Sequence, residues 1–240
     1  MNLTGIFYGD SRIFEFKSAV KQLKDSEKIN LNIFCFDVIK VNSDKNIFQE
    51  MCSRLKDSDA VIMHFHGSSA HLQNLETVIR IIKGKKLFFD CSIPEEIRSI
   101  MSYSSIKPEE YIRLHSYFKA GGADQITEFI KLFSNITIGT NYILAPPKER
   151  KAIGIYKDGH LLNVNEEQKV LSDIANSNRN IIGLVAHYPF LLNQNMRHVD
   201  AIIEELENQG ADCLCIIGRL GPQDNDGVLQ AMEKYFYFNS

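Results

Sequence analysis

The stretch AVIMHFHG, residues 60–67, decides the fold class of this 240-residue chain. It is a short apolar run that ends on a histidine and a glycine. Residues 71–82 follow with apolar side chains at helical spacing, and KLFFDC at residues 86–91 is a second short apolar run. Continuous apolar runs of this length are typical of strands buried on both faces of a parallel sheet. The order strand, helix, strand therefore predicts a β-α-β unit with a right-handed crossover.

The same alternation is found before residue 60, and helical patterns follow residue 91. Upstream strands are expected at 5–8 and 31–38, and upstream helices at 13–23 and 46–55. Downstream helices are expected at 94–101, 108–119 and 125–133, and residues 136–144 are expected to be a strand or an extended connection. We therefore expect an N-terminal α/β domain, residues 1–144, with a helical extension at its C-terminal end.

A proline-rich segment divides the chain. APPKER begins at residue 145, and two adjacent prolines beside a charge run suit neither a helix nor a strand, so residues 145–151 are expected to be a linker. Strands at 152–156, 181–187 and 213–217 and helices at 166–175, 196–208 and 227–236 are expected after it. A doubly wound sheet usually has about five strands, so this second α/β domain, 152–240, is expected to be incomplete.

The predicted fold class is therefore α/β, with two consecutive parallel-sheet units of flavodoxin-like or Rossmann-like type. Both units are expected to carry helices on both faces of the sheet, and the second is expected to be truncated.

Composition excludes several classes of function. The formal net charge is −3, and the longest basic cluster is the short segment 83–86, so we expect no nucleic-acid partner. No apolar run reaches the roughly 18 residues of a membrane span, and no signal peptide is expected at the N-terminus. The five cysteines are irregularly spaced and odd in number, which predicts reduced thiols and a cytoplasmic protein.

The candidate binding residues lie where predicted strands end, because parallel sheets bind ligands beyond the carboxyl ends of their strands. They are His64, His66, Gly67, Asp90 and His187. His64 and His66 point to the same face and could form half of a zinc site, with Asp90 and Cys91 as the nearest further ligands, or an acid–base pair. A histidine satisfied within the core is the simpler interpretation. We therefore predict no metal site, and we assign no catalytic residue.

Two further motifs have ordinary structural interpretations. Gly9-Asp10-Ser11 follows the first strand, where nucleotide folds bind phosphate, but the sequence lacks G-x-G-x-x-G and P-loop motifs, and a helix cap is favoured. Residues 158–163 resemble the D-x-H-x-x-G signature of cobalamin-binding proteins, with Asn163 in the place of the final glycine. The alternative there is a simple turn over residues 157–159.

An ordered set of segments resembles the N-terminal region of CobN-type cobaltochelatase large subunits and of the related magnesium chelatase large (H) subunit. YIRLHSYFKAGG at residues 111–122 is similar to a helix followed by a Gly-Gly break in that family. The strand at 154–156, the segment 183–195 and the helix at 199–207 before Gly210 resemble the elements that come next. The dipeptide His66-Gly67 is similar to a His-Gly at the matching strand end in some family members.

The resemblance implies part of an ATP-dependent ligase that forms nitrogen–metal bonds by inserting cobalt or magnesium into a tetrapyrrole, as in cobalamin biosynthesis or porphyrin metabolism. ATP is used by separate AAA+ chelatase subunits, and the large subunit binds the tetrapyrrole. The family's large subunit is much longer than this chain. The chain is therefore expected to contribute to tetrapyrrole binding and subunit assembly, to hold no cofactor of its own, and to be inactive alone.

Two other functions remain open from the sequence. The chain could be a stand-alone flavodoxin-like or corrinoid-binding module, which would purify with a coloured ligand. It could also be a non-catalytic interaction scaffold, in which the polar residues at the strand ends bind nothing.

Overall fold

The computed structural model describes residues 1–8, 11–27, 31–218 and 228–236 of the chain. The protein folds as two compact units, Met1–Lys148 (unit 1) and Glu149–Ser240 (unit 2). The α/β class predicted from the sequence is confirmed in both units. Gly9, Asp10 and Arg219 lie outside the described residues, so the helix cap expected at Gly9-Asp10-Ser11 stays a prediction.

Unit 1 contains the parallel sheet that the apolar runs predicted. Its strands are β1 (Asn2–Tyr8), β2 (Asn32–Asp37), β3 (Ala60–Phe65) and β4 (Lys86–Cys91). They pair in the order β2-β1-β3-β4, and every pairing is parallel. All six residues of β3 are buried, because the strand lies in the middle of the sheet between two helical layers.

Seven α-helices lie around this sheet within the described residues of unit 1. They are α1 (Ser11–Glu27), α2 (Val38–Ser43), α3 (Lys45–Asp57), α4 (Leu75–Ile82), α5 (Pro94–Met101), α6 (Pro108–Ala120) and α7 (Ala123–Ile138). The helix expected over 71–82 begins only at Leu75, because Ser68 caps a separate 3-10 turn, Ser69–His71. The short helix α2 was not predicted; Asp37 ends β2 and caps α2 by accepting a hydrogen bond from the Ile39 N–H at 2.8 Å.

The two faces of the unit 1 sheet bury different cores. One face packs against α1, α6 and α7 through an aromatic cluster in which the Phe88 ring centroid lies 5.1 Å from that of Phe118 and 5.0 Å from that of Phe129. The other face packs apolar residues of β3 and β4, among them Phe65 and Phe89, against α3 and α4. Since side chains alternate along a strand, Phe88 and Asp90 share the aromatic face.

Unit 2 has a mixed sheet, which corrects the prediction of a second all-parallel unit. Its strands are β5 (Gly154–Lys157), β6 (His160–Leu161), β7 (Asn180–His187) and β8 (Ala211–Gly218), in the order β6-β5-β8-β7. Its helices are α8 (Val164–Ala175), α9 (Tyr188–Leu192), α10 (Arg197–Asn208) and α11 (Val228–Phe236). The strands β7 and β8 are parallel, whereas β5 runs antiparallel to both β6 and β8.

A tight hairpin explains the mixed sheet. Asp158 and Gly159 both have positive φ, at 50° and 85°. Two consecutive residues with positive φ form a tight two-residue hairpin turn, which reverses the direction of the chain. The strand β6 therefore runs opposite to β5, and the helical connections through α8 and α10 keep that new direction in β7 and β8. The sequence pattern missed β6 because a two-residue strand is too short to show periodicity.

None of the helices among the described residues combines the length and apolar character needed to cross a bilayer. Cys35, Cys52, Cys91, Cys213 and Cys215 are all free thiols.

The close approach of Gly5 to Phe7 gives a stability prediction for unit 1. A methyl group at Gly5 would overlap the ring of Phe7, which is fully buried in the aromatic core. Overpacking of this kind costs about 1–3 kcal/mol, so Gly5→Ala should lower the free energy of unfolding of unit 1 by that amount in urea titrations. Phe7→Leu should partly relieve the overlap, so the double variant should cost less than the two single changes added together. Simple additivity would show that the steric explanation is wrong.

A buried carboxylate gives unit 2 a pH dependence. Glu167 on α8 accepts hydrogen bonds from Lys151 Nζ and from Tyr235 Oη, the latter at 2.9 Å, and Lys234 Nζ lies 3.7 Å from it. Burial alone would raise the pKa of Glu167, but the hydrogen bonds from Lys151 and Tyr235 and the two lysine charges bring it below its ordinary value. Ionised Glu167 therefore stabilises the folded form of unit 2.

We expect unit 2 to lose this stabilisation in acid. Because the folded pKa is depressed, the contribution is complete above the unfolded pKa, about 4.3, and disappears as the pH falls through the folded pKa. Glu167→Gln should cost about 1–3 kcal/mol at neutral pH and should flatten this part of the stability profile, measured by urea unfolding of unit 2 at several pH values. Glu205→Gln, on an exposed face of α10, controls for the loss of one surface carboxylate. If Glu167→Gln lost stability in acid to the same extent as the unsubstituted protein, Glu167 would not be the group responsible.

Candidate functional site

The predicted residues of unit 1 meet at the carboxyl end of its parallel sheet. The register of β3 with β4 places His64 directly beside Asp90, on the aromatic face of the sheet. His64 Nδ1 lies 3.1 Å from Asp90 Oδ2. The structure thus brings together two residues that lie 26 positions apart in the chain, as expected for polar ends of neighbouring strands.

A third member of this polar group, His115, was not predicted from the sequence. Its Nε2 lies 3.5 Å from Asp90 Oδ1, so Asp90 contacts two imidazoles at once. Helix α6 positions His115: Leu114 and Phe118 are buried, and the Tyr111 hydroxyl donates to the carbonyl of Phe89 at 3.2 Å. The helical spacing of these three anchoring residues was the available signal, since it turns position 115 towards the sheet.

The charge state of this group follows from burial and hydrogen bonding. Burial alone would raise the pKa of Asp90, but the hydrogen bonds from His115 and His64 lower it well below its usual range. Burial lowers the pKa of His64, and the hydrogen bond that its ring donates to Asp90 opposes this shift. Asp90 is therefore a carboxylate, and His64 is a neutral ring.

The ionised carboxylate also fixes the tautomer of His64. A carboxylate only accepts hydrogen bonds, so the close contact with Asp90 places the His64 proton on Nδ1. The Nε2 atom then carries a lone pair, and within the described residues this buried atom has no hydrogen-bond partner. An oriented, neutral imidazole with one unused lone pair can serve as a ligand or as a proton acceptor.

His66 lies beside His64 as predicted, but it is exposed. The two ring centroids are 5.0 Å apart and the ring planes meet at 74°. Partial loss of solvent around the ring, together with the neighbouring His64 and Arg12, lowers the pKa of His66. The Arg12 guanidinium lies 4.4 Å from the centroid of the Phe118 ring and donates to Glu15 at 2.7 Å.

Gly67 has a structural role at the strand end. Its φ is 93°, its N–H donates to Ser92 Oγ, and its carbonyl accepts from the Ser92 N–H, both at 3.2 Å. A Cβ at this position would lie 3.1 Å from His71 Nε2. Gly67 therefore ties the end of β3 to the end of β4 and shapes the edge on which the histidines lie.

His187 belongs to unit 2, where it ends β7. Its ring makes an edge contact with Phe190 at 5.9 Å between centroids, and Phe190 makes a similar contact with His198 at 4.8 Å. Of the predicted site residues, the structure thus brings His64, His66, Gly67 and Asp90 to one edge of unit 1. It places His187 in a separate aromatic group.

The structure also shows how the other residues considered as metal or cobalamin ligands are arranged. The described residues contain no group of three or more His, Cys, Asp or Glu side chains poised to hold a metal ion. Cys91, one of the further ligands considered, turns its thiol towards the backbone of Ile93 at 3.4 Å. Asn163 of the cobalamin-like segment caps α8 by accepting from the Asn165 and Glu166 N–H groups, and Asp158 and Gly159 form the hairpin turn.

A cavity in unit 2 was not predicted. It measures about 480 Å³ and lies beside the end of β5 and the start of β8. The Tyr156 hydroxyl donates to Asp200 on its wall at 2.7 Å. Six carboxylates line it: Asp158, Asp173, Asp200, Glu204, Glu207 and Asp212. These residues come from several separate segments of the chain, so no local sequence pattern predicts the cavity.

Comparison with known proteins gives one family. Residues 115–240, just over half of the chain, match the model of the CobN/Magnesium Chelatase family. The fold is similar to that of the catalytic subunit of cobaltochelatase from Mycobacterium tuberculosis, with a TM-score of 0.54 and 13% sequence identity. That alignment covers 96% of this chain and 17% of the mycobacterial subunit. No curated protein sequence matches the chain.

The contact between His64 and Asp90 gives the prediction for this site. Asp90→Ala removes the acceptor of the His64 Nδ1 proton, so it should destabilise unit 1 by about 1–3 kcal/mol in urea unfolding. Nitrogen-15 NMR of the rings should show the His64 proton on Nδ1 in the unsubstituted protein and a tautomer mixture in the variant. Glu95→Ala, which removes an exposed ion pair with Arg98, is the matched control and should cost at most about 1 kcal/mol. A proton on Nε2 in the unsubstituted protein would contradict the geometry.

Proposed function

Since this chain belongs to the CobN/magnesium chelatase family, we propose that it is the N-terminal part of the large subunit of an ATP-dependent metal chelatase. In this proposal the complete enzyme is a ligase that inserts cobalt or magnesium into a tetrapyrrole in the cytoplasm. The family match is the observation that carries the proposal. The similarity of fold over 96% of the chain supports it.

The proposed role of this chain is to bind tetrapyrrole and to take part in subunit assembly. The chain spans 17% of the length of the mycobacterial subunit, so the remaining chemistry would lie in other parts of the enzyme. The sequence contains no P-loop motif. ATP hydrolysis is therefore assigned to separate AAA+ subunits, and the cobalt or magnesium ion is a substrate rather than a resident cofactor.

The carboxyl end of the unit 1 sheet is the proposed contact surface for the tetrapyrrole. His115 is partly exposed, with 39% of its side chain accessible, and its ring stacks on Tyr111 at 5.8 Å between centroids. Tyr8 and His71 form a second stacked pair at 4.2 Å on the same edge. Flat aromatic and imidazole rings, together with the exposed His66, suit the face and the polar side groups of a conjugated macrocycle.

We expect the isolated 240-residue chain to bind a free-base tetrapyrrole without inserting metal or hydrolysing ATP. Binding can be measured by quenching of macrocycle fluorescence. His66→Ala and His115→Ala should each weaken binding about tenfold, which corresponds to about 1.4 kcal/mol for one lost contact. His160→Ala, in the exposed hairpin of unit 2, is the matched control and should bind normally.

Three results would overturn this proposal. Unchanged tetrapyrrole affinity in both His66→Ala and His115→Ala would favour an interaction scaffold whose polar edge has no ligand. Turnover of ATP by the purified chain alone would contradict the proposed division of labour. A stoichiometric flavin or cobalamin in the purified protein would favour a stand-alone cofactor-binding module instead.

A further inference from the structure

We propose that His64 and His66 form a binding site for a divalent first-row transition-metal ion, with Asp90 as the residue that orients His64. The identification of this ion as the metal to be inserted rests on the proposed function. The site itself rests on the arrangement of the two rings and the carboxylate.

The unused nitrogen of His64 is the first observation. Only 8% of the His64 side chain is exposed, and its Nε2 atom is buried without a hydrogen-bond partner among the described residues. Buried polar atoms in folded proteins almost always have a hydrogen-bond partner. An exception such as His64 Nε2 therefore indicates a bound water or ion at this atom. Because Nδ1 is engaged with Asp90, Nε2 presents a lone pair, which is the electronic form that binds a metal.

The position of His66 is the second observation. Two imidazoles bound to one ion at about 2 Å hold their rings roughly 5 Å apart and out of a common plane. The His64 and His66 ring centroids are 5.0 Å apart, and their planes meet at 74°. The contact from Asp90 to the other nitrogen of His64 completes the carboxylate–histidine–metal pattern found around metal sites.

The local charges accommodate a cation. Arg12 on α1 is the nearby positive side chain, and it is paired with Glu15 at 2.7 Å. Asp90 on β4 contributes a further negative charge, and His115 on α6 lies 3.5 Å from it. Arg12 and Glu15 offset one another, and the Asp90 carboxylate contacts the Nδ1 side of His64.

Two protein ligands leave coordination positions open. No third His, Cys, Asp or Glu side chain joins the pair within the described part of the chain. Closed sites with four protein ligands are structural, whereas open positions are filled by water or by a substrate group. Imidazole ligands suit cobalt, nickel, copper and zinc, whereas magnesium prefers oxygen ligands. The site therefore fits an exchangeable transition-metal ion such as Co²⁺.

Metal binding by the 240-residue chain tests this proposal. Equilibrium dialysis with Co²⁺ alone, together with visible ligand-field absorption, should show one bound ion per chain and no comparable binding of Mg²⁺. Because the His66 side chain is exposed, the His66→Ala variant should fold normally. Its affinity for Co²⁺ should be at least tenfold lower. Asp90→Asn should lower it about 10- to 100-fold, as loss of an outer-shell carboxylate does in other metal sites. His160→Ala is the matched control and should bind Co²⁺ as the unsubstituted chain does.

The outcomes separate this site from the proposed function. Equal Co²⁺ affinity in the unsubstituted chain, His66→Ala and Asp90→Asn would overturn the site, as would loss of binding in His160→Ala alone. A chain that binds tetrapyrrole but no Co²⁺ would also overturn it and leave the proposed function standing. A chain that binds Co²⁺ through His66 but no tetrapyrrole would support the site and count against the proposed function.

Discussion

The parallel pairing of β3 with β4 is the constraint on which unit 1 depends. Its register puts Ile62 beside Phe88 and, one step further along the same face, His64 beside Asp90. The apolar pair belongs to the core that holds α6 against the sheet through Phe118. The same helix then carries His115 to Asp90. Packing of the aromatic core therefore builds the polar site, because the two pairs occupy successive positions on the same face of the same strands.

Burial of Asp90 has a consequence for binding. A buried carboxylate is costly unless it is hydrogen-bonded, and Asp90 meets this requirement through two histidines. The arrangement orients His64 but leaves its Nε2 atom without a partner in the described structure. Stability alone does not favour such an atom, whereas a ligand that occupies it gains a preoriented contact. This unpartnered atom is the observation on which the proposed metal site rests.

The two units reach their sheets by different routes. In unit 1 every strand is connected through a helix, so all four strands run in one direction. In unit 2 the hairpin at Asp158 and Gly159 reverses the chain once, and β5 alone runs opposite to its neighbours. A turn of two residues therefore changes a parallel sheet into a mixed one without changing the α/β class.

The sequence by itself determined the α/β class, the parallel sheet of unit 1 and the placement of His64, His66 and Asp90 at its carboxyl edge, because apolar periodicity and strand ends are local properties. The resemblance of ordered segments also pointed to the family that residues 115–240 match. Only the tertiary structure decided that His115 joins Asp90 and that β5 is antiparallel. Each of these features depends on contacts between distant segments or on backbone angles. The pattern of apolar and polar residues carries no information about either.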